Sequence, residues 1–195
     1  MTDLKQHSPD ANSKFDILAI GGSAGSFPAM IEWIKHNQGP SIVLVIHRSK
    51  DHKSNLIQLL QYYTDFIVKE PIDKEKLQKK HIYIAPAGNH IELDEDQKWR
   101  LLDSPPVWHC KPAIDVLFSS LSHNTATRTA AVLLSGANAD GGIGLKEIKD
   151  AGGFTLCMNP EEAEYANMPN AAKKQDAVTR YFGIDEIKGL CERYF

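Results

Sequence analysis

Three polar side chains each stand just beyond an apolar run: Ser23 after ILAIGG, His47 after SIVLVI and Asp140 after TAAVLLSGANA. A hydroxyl, an imidazole and a carboxylate are the parts of acyl transfer. The hydroxyl attacks only when a base takes its proton, and the base works best when an acid holds its ring. Ser23 sits in Gly21-Gly22-Ser23-Ala24-Gly25, which fits G-x-S-x-G. In a nucleophile elbow the small residues let a tight strand-to-helix turn close and expose the hydroxyl at the sheet edge. The helix that follows helps to stabilise developing negative charge.

The same turn admits other readings. A Gly-rich strand-to-helix turn can cradle phosphate on backbone N–H groups. A P-loop, however, needs Lys followed by Ser or Thr after the last glycine, and this turn has neither. A dinucleotide fingerprint wants glycine where Ser23 stands and an acid closing the second strand, where His47 stands. The turn is also readable as a plain corner built from small residues, His47 as a surface histidine, and Asp140 as an aspartate in a Gly-rich loop. What favours chemistry is the coincidence: strands of a parallel sheet end at one edge, so the three residues are expected to meet there. Their order, Ser then His then Asp, differs from that of α/β-hydrolases and points to a different fold.

The elements that must hold these residues are legible in outline. Phe15–Ile20, Ser41–Ile46, Thr129–Leu134 and Phe154–Cys157 are short apolar runs suited to buried strands. Phe27, Met30, Ile31 and Ile34 fall at helical spacing, and helices are expected near 55–63, 112–122, 143–151, 171–174 and from Ile184. Shorter strands are expected at 67–68 and 177–181. HIYIAP, NHIELD and WRLLD are separated by turn residues and suggest an antiparallel hairpin or meander. The expected architecture is α/β: a doubly wound, mostly parallel, Rossmann-like three-layer sheet with an antiparallel edge hairpin. Residues 1–14 are polar and read as a disordered tail, leaving 15–195 as one domain.

Bulk properties exclude several classes. A net charge of -3 gives no electrostatic case for nucleic acid or an anionic membrane. DKEKLQKK (73–80) mixes both signs and reads as a solvated helix face. The three cysteines, Cys110, Cys157 and Cys191, are far apart and form no pairing framework, which favours a reducing compartment. The N-terminus lacks the apolar core of a secretory signal, and no run is long enough to span a bilayer. A cytoplasmic protein is expected. His90 reads as a turn histidine or a rim residue, and His109, beside Trp108, as packing or an edge.

From about Phe15 onward the chain resembles the catalytic domain of the CheB-type chemotaxis protein-glutamate methylesterases. The resemblance is carried, in order, by ILAIGGSAGS, VIHRS, VKEP, HIYIAPAGNH, KPAIDVLF, LLSGANADGG, AGGFTL, NMPNAA and AVTRYFGIDEI. It implies hydrolysis of γ-glutamyl methyl esters on chemoreceptor helices, often with deamidation of receptor glutamines. It implies Ser23 as nucleophile, His47 as base and Asp140 as the orienting acid. Backbone N–H groups of Ala24 and Ala137 are implied as oxyanion donors, with no metal or organic cofactor.

The chain departs from the family pattern at several of these places. Ala24 stands where Thr is usual, Ser26 for Gly, Ala137 for Met, Asn138 for Gly, Asn167 for Gly, and Arg48-Ser49 for Met-Pro. Ser26 is expected to restore a lost hydroxyl or to cap the following helix. Fourteen polar residues cannot hold the receiver domain typical of the family, so control in trans, no control, or a single domain of a larger protein is implied. The alternatives are a receptor-binding or regulatory module with weakened turnover, a hydrolase of another methyl ester or amide, and, more distantly, a nucleotide-binding protein.

Overall fold

The computed structural model describes residues 15–48 and 55–195. The expected tail, 1–14, and Ser49 lie outside the described residues. Among the described residues, nine strands and six helices run as β1 (Ile17–Gly22), α1 (Phe27–His36), β2 (Ser41–Ile46), α2 (Leu56–Gln61), β3 (Ile67–Lys69), β4 (His81–Ile84), β5 (His90–Leu93), β6 (Trp99–Leu102), α3 (Ile114–His123), β7 (Thr129–Leu133), α4 (Gly142–Asp150), β8 (Phe154–Met158), α5 (Asn167–Lys174), β9 (Arg180–Phe182) and α6 (Ile187–Tyr194). Seven strands form one sheet in the order β3-β4-β2-β1-β7-β8-β9, every pairing parallel.

Side-chain alternation divides the core into two layers, one on each face. Leu18, Ile20, Ile42, Leu44, Ala130 and Val132 meet α1, α2 and α6. Ile17, Ala19, Val43, Val45, Ala131 and Leu133 meet α3, α4, α5 and the β5–β6 hairpin. Strands buried on both faces explain why ILAI, SIVLV and TAAVLL read as unbroken apolar runs. The doubly wound parallel sheet and the separate antiparallel pair, β5 with β6, are as expected.

Two local expectations change. HIYI is not the first strand of a meander. It is β4, a parallel strand between β3 and β2 with all four residues buried. DKEKLQKK is not a helix. Its backbone runs beside β6: Lys74 N–H donates to Trp99 O at 2.7 Å, Trp99 N–H to Glu75 O at 2.8 Å, and Leu77 N–H to Gln97 O at 2.7 Å. Those bonds satisfy the backbone that a helix would otherwise have had to satisfy internally.

The chain reverses its direction of growth at β1, stepping to β2 on one side and later to β7 on the other. In open α/β sheets the crevice beyond the carboxyl ends at such a point is where ligands bind. Gly22 pairs with Ile46 across β1–β2, and Gly21 with Leu133 across β1–β7, so these three strands end side by side.

Candidate active site

Ser23 and His47 are the residues immediately after the paired ends Gly22 and Ile46, so strand register alone makes them neighbours. His47 N–H reaches Gly22 O at 3.4 Å. The turn carrying Ser23 is fastened to the loop after β7. Ser23 N–H donates to Ser135 O at 2.9 Å, and Ser135 Oγ donates to Ala24 O at 2.8 Å. Gly25 takes φ +73°, and a Cβ there would stand 2.7 Å from Glu164 Cβ, so both the left-handed backbone and the close approach call for glycine. Ser26 stands at the N-cap of α1, where Met30 N–H donates to its carbonyl at 3.0 Å, but its side chain makes no cap bond. Its hydroxyl donates back to Ser23 O at 2.6 Å and closes the turn from within.

The imidazole and the carboxylate are joined directly. His47 Nε2 lies 2.7 Å from Asp140 Oδ2, and the Asp140 side chain is wholly buried. A buried carboxylate needs compensation for lost hydration. Asp140 obtains it from the first turn of α3: Ile114 N–H donates to Oδ2 at 2.7 Å and Asp115 N–H to Oδ1 at 2.9 Å. Those amides are among the donors a helix leaves unmade at its start, and the helix dipole there favours an anion. The Asp140 loop thus supplies the cap that α3 lacks in its own sequence. With Nε2 donating to Asp140, the proton-accepting nitrogen of a neutral His47 is Nδ1.

Asp140 is aimed by Gly141, which holds φ +92° and packs where a Cβ would meet Leu133 Cδ1 at 2.6 Å and Ile114 Cγ2 at 2.8 Å. Arg48, the residue after His47, is itself anchored: its guanidinium contacts Glu70 and donates to Ala85 O at 2.9 Å. Among the described residues, the Ala24 and Ala137 N–H groups have no hydrogen-bond partner and Ser23 Oγ makes no side-chain bond. Asn167 Nδ2 donates to Ala137 O at 2.9 Å, fixing that peptide's plane.

Two cavities flank the strand ends. One, of about 530 Å³, is lined by His47, Arg48, Gly88, His109, Cys110 and Lys111. The other, of about 520 Å³, lies between Trp108, Asn138, Ile143 and the α5 residues Asn167, Asn170 and Lys174. Among the described residues, no group of three or more His, Cys, Asp or Glu side chains is disposed to hold a metal ion.

Reading the sequence missed the amides of Ile114 and Asp115, the anchoring of Arg48 and a thiol, Cys110 Sγ, 3.4 Å from His47 Nδ1. The Pro before IDVLF signals a helix start, and a helix start is an anion site, so the amides had a faint signal. His90 is neither a turn nor a rim residue. It opens β5, fully buried, with Ala113 N–H donating to Nδ1 and Pro105 O bonded to Nε2, both at 3.0 Å. His109 is exposed on the cavity wall.

The family model described as CheB methylesterase matches residues 18–190. The chain belongs to the CheB methylesterase family. A putative protein-glutamate methylesterase/protein-glutamine glutaminase of Leptospira interrogans is 30% identical over 179 residues, covering 90% of this chain and 93% of that protein. Protein-glutamate methylesterase/protein-glutamine glutaminase 2 of Xanthomonas oryzae is 31% identical over 176 residues, and the match spans 88% of this chain but 49% of that relative. The crystal structure of the Thermotoga maritima CheB methylesterase catalytic domain shares the fold. Its TM-score is 0.82 at 24% identity, over 92% of this chain and 98% of that one. Membership in the CheB family bears out the methylesterase reading and its setting in chemotaxis, where the family acts on chemoreceptors. Among the described residues, no helix is long and apolar enough to cross a membrane.

Proposed function

We propose that this chain hydrolyses glutamate γ-methyl esters on the helical cytoplasmic segment of a chemoreceptor by acyl transfer through Ser23. His47 takes the Ser23 proton on Nδ1 as Oγ attacks the ester carbonyl. The Ala24 and Ala137 N–H groups receive the oxyanion. His47 returns its proton to the departing methoxide, and methanol leaves. Water then attacks the acyl-enzyme, giving its proton to the same nitrogen, and Ser23 is released from the glutamate. Asp140 keeps the Nε2–H tautomer and faces the imidazolium that forms transiently.

The observation that carries this reading is the His47–Asp140 bond of 2.7 Å at strand ends adjoining Ser23. The open cavities on either side suit a side chain presented on a broad helical surface rather than a small free ester. The relatives' names also include protein-glutamine glutaminase. Deamidation requires the same attack on an amide carbonyl, with ammonia leaving, so both activities are assigned to the one site in the cytoplasm. The test is methanol release from methylated receptor membranes. Wild type is expected to release it, and Ser23→Ala to lose several orders of magnitude in kcat. Full activity in Ser23→Ala would overturn the assignment.

A further inference from the structure

We infer that Cys110 and Asn138 are positioning residues that close a hydrogen-bonded ring through His47 and Asp140 and hold the imidazole ready for Ser23. This rests on the assignment of His47 as the base. The ring is complete in the structure. Asp140 N–H donates to Asn138 Oδ1 at 3.2 Å. Asn138 Nδ2 donates to Cys110 Sγ at 3.2 Å. Cys110 Sγ lies 3.4 Å from His47 Nδ1. His47 Nε2 returns to Asp140 Oδ2 at 2.7 Å.

Each bond fixes the sense of the next. Asn138 Oδ1 is taken by a backbone N–H, so its NH₂ must face the sulfur. Nε2 donates to a carboxylate, so Nδ1 is bare and accepts. The only proton that can fill the gap between sulfur and Nδ1 is the thiol's own. Burial, then the nearby Asp140 charge, push the Cys110 thiol up, against the opposing pull of the Asn138 bond. The sulfur is therefore a neutral S–H donor at neutral pH and not a competing thiolate nucleophile.

The backbone is bent to bring Cys110 there. Trp108 and His109 both lie in the left-handed region, at φ 51° and 61°. They form a two-residue reversal between Val107 and Cys110, whose backbones bond each other at 3.1 and 2.8 Å. Bulky residues seldom adopt this conformation without compensation. The compensation is an anchor, Trp108 Nε1–H donating to Asp115 Oδ2 at 2.7 Å. Asp115 is also the residue whose N–H holds Asp140, so loop and acid share one support. An S–H···N bond is weak. It therefore restrains the resting ring at Nδ1 and yields that nitrogen to the Ser23 hydroxyl at little cost.

The first test needs no turnover. In ¹⁵N-histidine protein carrying Ser23→Ala, so that no serine hydroxyl can replace the thiol, His47 should show the Nε2–H tautomer with Nδ1 shifted as a hydrogen-bond acceptor. Adding Cys110→Ala should return Nδ1 to the position of an unbonded imine nitrogen, and adding Cys110→Ser should leave it bonded. An unchanged His47 spectrum in Cys110→Ala would overturn the proposal. The second test is kinetic, in the active protein. Cys110→Ala and Asn138→Ala should each lower kcat for methanol release about two- to tenfold with KM unchanged, the worth of one modest hydrogen bond. The double variant should be no worse than the worse single, and Cys110→Ser should recover most of the rate. Losses that multiply in the double variant, or a rise in KM alone, would contradict a shared ring. A wild type without Ser23-dependent release would remove the ester-hydrolysis reading while the spectroscopic test still decided the ring.

Discussion

Asp140 is asked to satisfy three donors at once: His47 Nε2, Ile114 N–H and Asp115 N–H. Asp140→Asn replaces one acceptor oxygen by an NH₂ group that must face a donor, which disfavours the Nε2–H tautomer. A change of this kind lowers kcat by about 10⁴-fold, and we expect that in the methanol-release assay with binding largely retained. The cysteines offer a second check at this scale. Burial pushes Cys157 and Cys191 up to about 12, and both are almost without exposure, whereas Cys110 reaches the cleft. A maleimide at neutral pH should label native protein at Cys110 ahead of the other two, as read by peptide mass mapping. Equal labelling would contradict the packing. At this scale the sequence was informative about placement: Ser23, His47 and Asp140 stand at neighbouring strand ends, as expected. It named Cys110 and Asn138 without joining them to His47, and it gave the α3 amides only the faint signal of a helix start after Pro112. Their contacts arise when α3 and the loop before it dock against the sheet, and no linear spacing encodes that docking.

The strands and turns aim these side chains. The loop after β7 reaches the start of α3 only because Gly141 adopts φ +92° and leaves room for Leu133 and Ile114. Gly141→Ala meets both an unfavourable backbone and side-chain contacts under 3 Å. We expect it to cost about 1–3 kcal/mol in a urea titration and to depress kcat as Asp140 is displaced. Wild-type stability and rate in this variant would contradict the placement of the loop. SIVLVI and TAAVLL were readable as strands because both their faces are covered, leaving no polar alternation. HIYI obeys the same rule, and its four buried residues make it β4. Its neighbours NHIELD and WRLLD do form a hairpin, and their nearness in sequence suggested one meander for all three. DKEKLQKK looked helical from its charges, but its backbone bonds to the β6 segment set its conformation.

In the molecule as a whole, stability and activity share a support. Asp115 lies between α3, α4 and the Trp108 loop, accepting from Gly144 N–H at 2.8 Å and Trp108 Nε1–H at 2.7 Å. Burial, opposed by the Gly144 bond and reinforced by the Asp140 charge, holds its carboxyl above the usual carboxylate range. The folded state therefore binds this proton more tightly than the unfolded chain. The group's contribution to stability is full below the ordinary aspartate range and declines as pH rises through its raised value. Asp115→Asn should flatten that decline in urea midpoints measured across mildly acid pH, and an identical slope in both proteins would contradict the assignment. The two-layer core and the switch point at β1 tie the fold to the CheB catalytic domain, and the strand ends at that point carry the proposed chemistry. The most direct test remains methanol release from methylated receptor membranes by wild type and Ser23→Ala. Release by the wild type that falls several orders of magnitude in the variant is the expected result. Undiminished release from Ser23→Ala would contradict the account.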